Sequence, residues 1–170
     1  TAIHAVCEKV IPNESSNAME IFKGSFQEEL KILKDSGTKI NKVLVEEMYA
    51  QAVPICEQVI PAVREYFGEF QVVSVEEEIL EPITEFESYG KKFKGFIDMV
   101  IKTPDNKYHI IDWKTCSWGW TRDKKNSPMT TYQLTYYKNY FSKKHNLDLG
   151  LIDTYFVLLK RTAKKENIEV

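Results

Sequence analysis

The sequence predicts an α/β domain: a helical first part, then a mixed β-sheet flanked by helices. Three observations predict it. Apolar residues recur at helical spacing as far as Phe67. From Gln71 onward the pattern changes to short Val- and Ile-rich runs of strand length. Thr103-Pro104-Asp105-Asn106 then separates two such runs with turn chemistry.

Taken in order, Thr1 to Val10 reads as the end of a helix, with Ile3, Val6 and Val10 on one side, stopped at Ile11-Pro12-Asn13. Asn17 to Lys34 reads as a second helix carrying Phe22, Phe26, Leu30 and Leu33 on one face, broken by Asp35-Ser36-Gly37. Ile40 to Phe67 continues a long helical pattern, with a bend expected near Pro54 or Pro61. Gln71 to Leu80, Lys92 to Lys102 and Lys107 to Lys114 read as strands. Thr115 to Met129 reads as a loop. Ser127-Pro128 suits the start of a helix running to about Lys144. Leu151 to Leu159 reads as the final strand. The whole is expected to be one domain over 1–170, helical over about 1–67 and a sheet core over about 70–170. With Thr1 in place of Met, the chain is expected to follow a cut or to belong to something longer.

A chain of 170 residues, 43% hydrophobic and 28% charged, can bury a sizeable core. No apolar run is long enough to span a bilayer, so no membrane partner is expected. Three cysteines at wide spacings (Cys7, Cys56, Cys116) argue against a disulfide framework and for a reducing, intracellular compartment: cytoplasm, nucleoid or organelle matrix. Without a CxxC pair, no zinc or iron–sulfur site is expected. Oligomeric state is left open. The net charge of −2 hides an asymmetry: up to residue 90 there are 7 basic and 17 acidic residues, and from residue 91 there are 16 basic and 8 acidic. Such a distribution can set a basic face beside an acidic one, or simply solvate two surfaces.

The hairpin concentrates the chemistry. With its turn centred near Asp105, residues whose numbers sum to about 210 face each other, so Asp98 and Asp112 are expected opposite one another. Alternation puts Lys114 on the face of Asp112. Phe96, Ile97, Met99, Val100, Ile101, Ile110, Ile111 and Trp113 make both faces of these strands apolar, as in buried strands. Two carboxylates there repel each other unless a cation sits between them. Mg²⁺ is held by one or two carboxylates plus water and phosphate oxygens. The bland alternative is a pair of solvent-facing aspartates with Lys114 as their salt-bridge partner.

Gly95-Phe96-Ile97-Asp98, Ile110-Ile111-Asp112-Trp113-Lys114-Thr115 and Gln133-Leu134-Thr135-Tyr136-Tyr137 resemble the G-x-x-D, (D/E)-x-K and Q-x-x-x-Y motifs of RecB-type nucleases of the PD-(D/E)XK superfamily. That group includes the CRISPR-associated adaptation exonucleases, the AddAB/RecB nuclease domains and the mitochondrial genome maintenance exonuclease. Thr1-Ala2-Ile3-His4 with Glu8 resembles the family's early helical motif, G-[ST]-x-x-H-x-x-x-E. The resemblance covers almost the whole chain and implies a restriction-endonuclease-like core.

It also implies roles. Asp98 and Asp112 are expected metal ligands, joined by the Trp113 carbonyl and by His4, for Mg²⁺ or Mn²⁺. Lys114 is the expected catalytic lysine, and Gln133 and Tyr137 sit one helical turn apart beside the site. Glu76 is the preferred acid of the preceding strand, with Glu78 on the same face as its substitute. The implied activity is metal-dependent cleavage of DNA ends or single strands, more an exonuclease than an endonuclease, in repair, recombination or replication. Alternatives are a catalytically silent nucleic-acid-binding module of the same fold and an RNA endonuclease. Trp118, Trp120, Arg122, Lys124 and Lys125 interleave aromatic and basic residues, as single-strand binding requires, or else the tryptophans cap the core. Lys160-Arg161 offers a second phosphate contact. The four cysteines that hold an iron–sulfur cluster in the adaptation exonucleases have no counterpart here, so no cluster is expected.

Overall fold

A computed structural model describes residues 2–14, 16–83 and 88–170. The helices are α1 (Ala2–Val10), α2 (Ala18–Asp35), α3 (Lys42–Phe67), α4 (Arg122–Asn126) and α5 (Pro128–His145). The strands are β1 (Gln71–Pro82), β2 (Lys92–Lys102), β3 (Tyr108–Cys116), β4 (Ile152–Lys160) and β5 (Ile168–Glu169), in the sheet order β1-β2-β3-β4-β5. The α/β class with helices first is as the sequence predicts. The chain divides into two compact units: 1–66, 115–119 and 158–170 form one, and 67–114 with 120–157 the other.

In the first unit, α1 buries Ala2, Ile3, Val6, Cys7 and Val10, and α3 buries Ala52, Ile55, Cys56, Val59 and Val63. α2 contributes the stacked pair Phe22 and Phe26, with ring centroids 5.1 Å apart. Asn17 starts α2 by accepting from the backbone N–H groups of Met19 and Glu20. Asn41 does the same for α3 through Val43 and Leu44, and α3 then continues through both prolines. The chain does not end at β4. A short β5 pairs Ile168 with Leu159 and Glu169 with Leu158. Its anchor is the buried Asn167, whose side-chain amide donates to the carbonyls of Lys160 and Ala163 and accepts from Gln58 Nε2, while its backbone N–H donates to Gln58 Oε1. A two-residue strand specified by one amide has no periodicity to betray it.

In the second unit, β2 and β3 pair antiparallel in the register expected: Lys102↔Tyr108, Ile101↔His109, Val100↔Ile110, Met99↔Ile111. The turn closes with Thr103 N–H donating to Lys107 O, and Asn106 takes a left-handed φ of 68°. Behind the hairpin, Ile79, Ile97, Val100, Ile110 and Ile152 form a cluster with Leu134, Tyr137 and Phe141 of α5. Ile97 and Val100 share this cluster although three residues apart, so strict alternation breaks between them. In β1 the register shifts between Val72 and Ser74, and Glu76 further along takes a φ of 50°. Such irregularities re-aim side chains.

Two expectations change. Residues 115–129 are not one loop: β3 extends to Cys116, and α4 forms because the Thr121 hydroxyl caps it, accepting from Lys124 N–H. Phe96, read as buried, is 44% exposed, because it lies beyond the last β2–β3 pair. The Lys94 ammonium stands 5.3 Å from its ring centre.

Candidate active site

Asp98 and Asp112 each lie one residue beyond the last β2–β3 pair, Met99↔Ile111. Each carboxylate is held by a different device. The Trp113 backbone N–H donates to Asp98 Oδ2 at 2.7 Å. This is a bond from the neighbouring strand, and it stands where a ladder bond would otherwise be. Asp112 is 2% exposed. Its Oδ1 accepts from Gln133 Nε2 at 2.9 Å, and the same nitrogen lies 3.0 Å from Tyr137 Oη. Its Oδ2 lies 2.6 Å from Lys114 Nζ, a charge contact off the axis of a directed hydrogen bond. Thus Asp98, Asp112, Lys114, Gln133 and Tyr137 are brought together, with Trp113 entering through its backbone.

The electrostatics follow from burial. Desolvation pushes the Asp112 carboxyl up to about 6; Lys114 pulls against this and Asp98 adds to it. Asp98 is also raised by burial, opposed by the Trp113 N–H and Lys114. Two neighbouring carboxyls held above their ordinary range are a site that a cation would relieve.

The donor set fits a hard divalent ion. Among the described residues, no group of three or more His, Cys, Asp or Glu side chains could hold a metal by itself. Asp98 and Asp112 supply two carboxylates, and Asp112 Oδ2 has no aligned hydrogen-bond donor. An ion that keeps water and takes substrate oxygens needs no more from the protein.

The other candidates lie as follows. Glu76 is exposed on β1, across from Asp98 in the register. Glu78 pairs with Lys94 at 3.0 Å. The acid of this run with a nearly buried side chain is Glu77, 9% exposed there and held by Ser74, Lys144 and His145. Burial raises its carboxyl, but those bonds outweigh it and hold it below the usual value. Nothing in a run of three glutamates signals the register shift upstream between Val72 and Ser74, so the sequence could not have singled out Glu77. Phe156 was also missed: its ring lies 5.6 Å from Lys114 Nζ and 5.0 Å from the Trp120 ring. Trp120 is half-buried, with Lys124 Nζ 4.6 Å from its ring centre. Arg122 and Lys125 are exposed.

In the first unit, His4 Nε2 lies 3.3 Å from Thr115 Oγ1. Thr1, the first residue of its motif, lies outside the described residues. Trp118 is 70% exposed. Arg161 donates its backbone N–H to Cys116 O and lines an apolar cavity of about 250 Å³ with Ile3, Phe22, Phe26 and Thr115. No helix among the described residues is long and apolar enough to cross a membrane.

No curated protein matches the chain. The sequence profile of the PD-(D/E)XK nuclease superfamily, whose members generally use divalent metals such as Mg²⁺, matches residues 1–169. With paired aspartates and a lysine on a hairpin of a mixed α/β sheet, and a match over nearly the full length, the chain belongs to the PD-(D/E)XK nuclease superfamily.

Proposed function

We propose that this nuclease acts on DNA with Mg²⁺ or Mn²⁺, hydrolysing phosphodiester bonds from ends or along single strands, in repair, recombination or replication. The observation that carries the reading is the half-buried Asp98 beside the buried Asp112, with the Lys114 ammonium 2.6 Å from Asp112 Oδ2. The choice of DNA and of exonuclease action is supported by the likeness to RecB-type motifs.

Asp98 and Asp112 would hold the cation, with His4, Glu76 and the Trp113 carbonyl as further proposed ligands. When bound, the ion supplies a water of lowered pKa and positive charge for a phosphodiester. The chain's own part is orientation. Trp113 N–H fixes Asp98, and Gln133 fixes Asp112, so neither carboxylate has to be ordered on substrate arrival. Lys114, one-third exposed, keeps its ammonium at the edge of the patch, where it can meet a scissile phosphate and stabilise the charge that develops there. Trp118, Trp120, Arg122, Lys124, Lys125 and Arg161 are proposed contacts for the strand.

The test is digestion of end-labelled single-stranded DNA, duplex DNA and matching RNA with Mg²⁺, Mn²⁺ or EDTA, comparing wild type with Lys114→Ala. Metal-dependent DNA cleavage lost in Lys114→Ala is the expected result, and the label pattern gives polarity. Cleavage of RNA alone, or of nothing by a folded protein, overturns the reading.

A further inference from the structure

Helix α5 does more than carry Gln133 and Tyr137. Met129, Tyr132, Tyr136, Tyr140 and Lys143 follow one another at i+3 and i+4 spacing, so they share a second stripe, one residue away from the site-facing one. Met129 is 85% exposed, Tyr132 53% and Tyr136 49%. Phe93 of β2 joins the stripe from below. The rings form a continuous run: Tyr132 to Tyr136 at 6.4 Å, Tyr136 to Phe93 at 5.6 Å, and Phe93 to Tyr140 at 4.4 Å, nearly parallel at 3°. Phe93 and Tyr140 pack against the core cluster, which explains them as structure. Tyr132 and Tyr136 stand outside that cluster, and water-facing aromatic surface in a contiguous run marks a contact.

We infer that this stripe is a stacking platform for the bases of single-stranded DNA, extending the nuclease site along α5; the inference rests on the nuclease reading above. Three features select this occupant. The platform is built on the helix whose Gln133 bonds to Asp112, so a strand lying on it stays beside the candidate catalytic carboxylates. It is aromatic rather than aliphatic, and base faces stack on aromatic rings whatever the sequence. It also ends in cations: exposed Lys143 reaches Pro82 O at 3.4 Å, and exposed Lys92 is the strand partner of Pro82. A duplex hides its base faces, so the platform distinguishes single strands from double.

The experiment is fluorescence anisotropy of a labelled oligothymidylate in EDTA, where nothing is cut, with a duplex of equal length beside it. The double variant Tyr132→Ala/Tyr136→Ala is expected to bind the single strand about tenfold more weakly or worse, with duplex binding unchanged. Tyr132→Phe/Tyr136→Phe keeps both rings and is expected to bind within about twofold of wild type. If the alanine pair lowers the melting temperature, Tyr132→Glu alone decides, since a carboxylate at this exposed position must weaken single-strand binding by a similar margin. Unchanged affinity of the alanine pair or of Tyr132→Glu, or a wild type that does not bind the oligothymidylate, overturns the platform. Lys114→Ala separates the two readings: a wild type that never cleaves DNA sinks the nuclease proposal, while tyrosine-dependent binding would still uphold the platform.

Discussion

A side chain on Gly95 would put its Cβ 2.8 Å from Cε1 of Tyr137. The tyrosine ring is buried in the core cluster and has nowhere to retreat. The bare backbone at Gly95 therefore sets how closely α5 approaches β2, and through that approach where Tyr137 Oη, Gln133 Nε2 and Asp112 Oδ1 meet. The glycine of the G-x-x-D motif acts on Asp112, in the next strand, as much as on Asp98.

Gly95→Ala tests this chain of contacts. Overpacking here is expected to cost about 1–3 kcal/mol of stability. A displacement of well under 1 Å passed to Gln133 is expected to lower turnover by about ten- to a hundredfold. Thermal unfolding and single-turnover cleavage measure the two effects separately. A variant that loses stability and keeps full turnover would show that the α5–β2 spacing does not govern the site.

Gln133→Leu and Tyr137→Phe divide the network. Gln133 bonds to a buried carboxylate, and hydrogen bonds to charged groups contribute about 1.5–3 kcal/mol, which corresponds to roughly ten- to a hundredfold in rate. Tyr137→Phe keeps the ring on Gly95 and loses only the hydroxyl, a neutral bond of about 0.5–1.5 kcal/mol. Cleavage is expected to fall more in Gln133→Leu, with a weakened response to Mg²⁺ in titration. Equal effects would mean that Gln133 does not hold Asp112.

The register of the hairpin was legible because a turn with its own chemistry and two apolar runs fix it: the rule that paired numbers sum to 210 holds at all four pairs. Asp98, Asp112 and Lys114 follow from that arithmetic and from strand alternation, whereas Gln133 and Tyr137 come from the likeness to the Q-x-x-x-Y motif, with helical spacing giving only their shared face. What the sequence hid depends on tertiary partners or on one irregularity of register. The β1 register shifts between Val72 and Ser74, so Glu77 falls with Val75 and Ile79 on the less exposed side and meets Lys144 and His145. Phe156 meets Lys114 only because β4 lies in the same sheet. β5 rests on Asn167, whose side-chain amide makes three bonds and whose backbone N–H a fourth, to Gln58, Lys160 and Ala163.

Asn167 is correspondingly sensitive. It is 1% exposed. Replacing it by Ala keeps the backbone N–H bond to Gln58 Oε1 but takes the partner from Gln58 Nε2 and from the Lys160 and Ala163 carbonyls, at about 1–3 kcal/mol for each group left unsatisfied. The expected loss is several kcal/mol, visible as a fall in melting temperature, while Asn167→Asp also fails because a carboxylate cannot donate to Lys160 O and Ala163 O. A melting temperature within about a degree or two of wild type for Asn167→Ala would show that water replaces these bonds at little cost.

Asp112 is expected to work against the stability of the metal-free protein. Its carboxyl is pushed by burial to about 6 from 3.8. An acid raised on folding holds its proton more tightly in the folded state. Stability therefore falls as pH rises from about 4 to about 6 and stays lower above that, by roughly 3 kcal/mol for two pKa units. In EDTA, Asp112→Asn should unfold at higher urea than wild type at pH 7.5, and the two curves should converge below about pH 4. Added Mg²⁺ should stabilise wild type more than the variant, which keeps Asp98 but has lost one of the two carboxylates proposed to hold the ion. If wild type is instead the more stable at pH 7.5 in EDTA, the Lys114 contact at 2.6 Å outweighs desolvation. The pair would then be a structural salt bridge rather than a site poised for a cation.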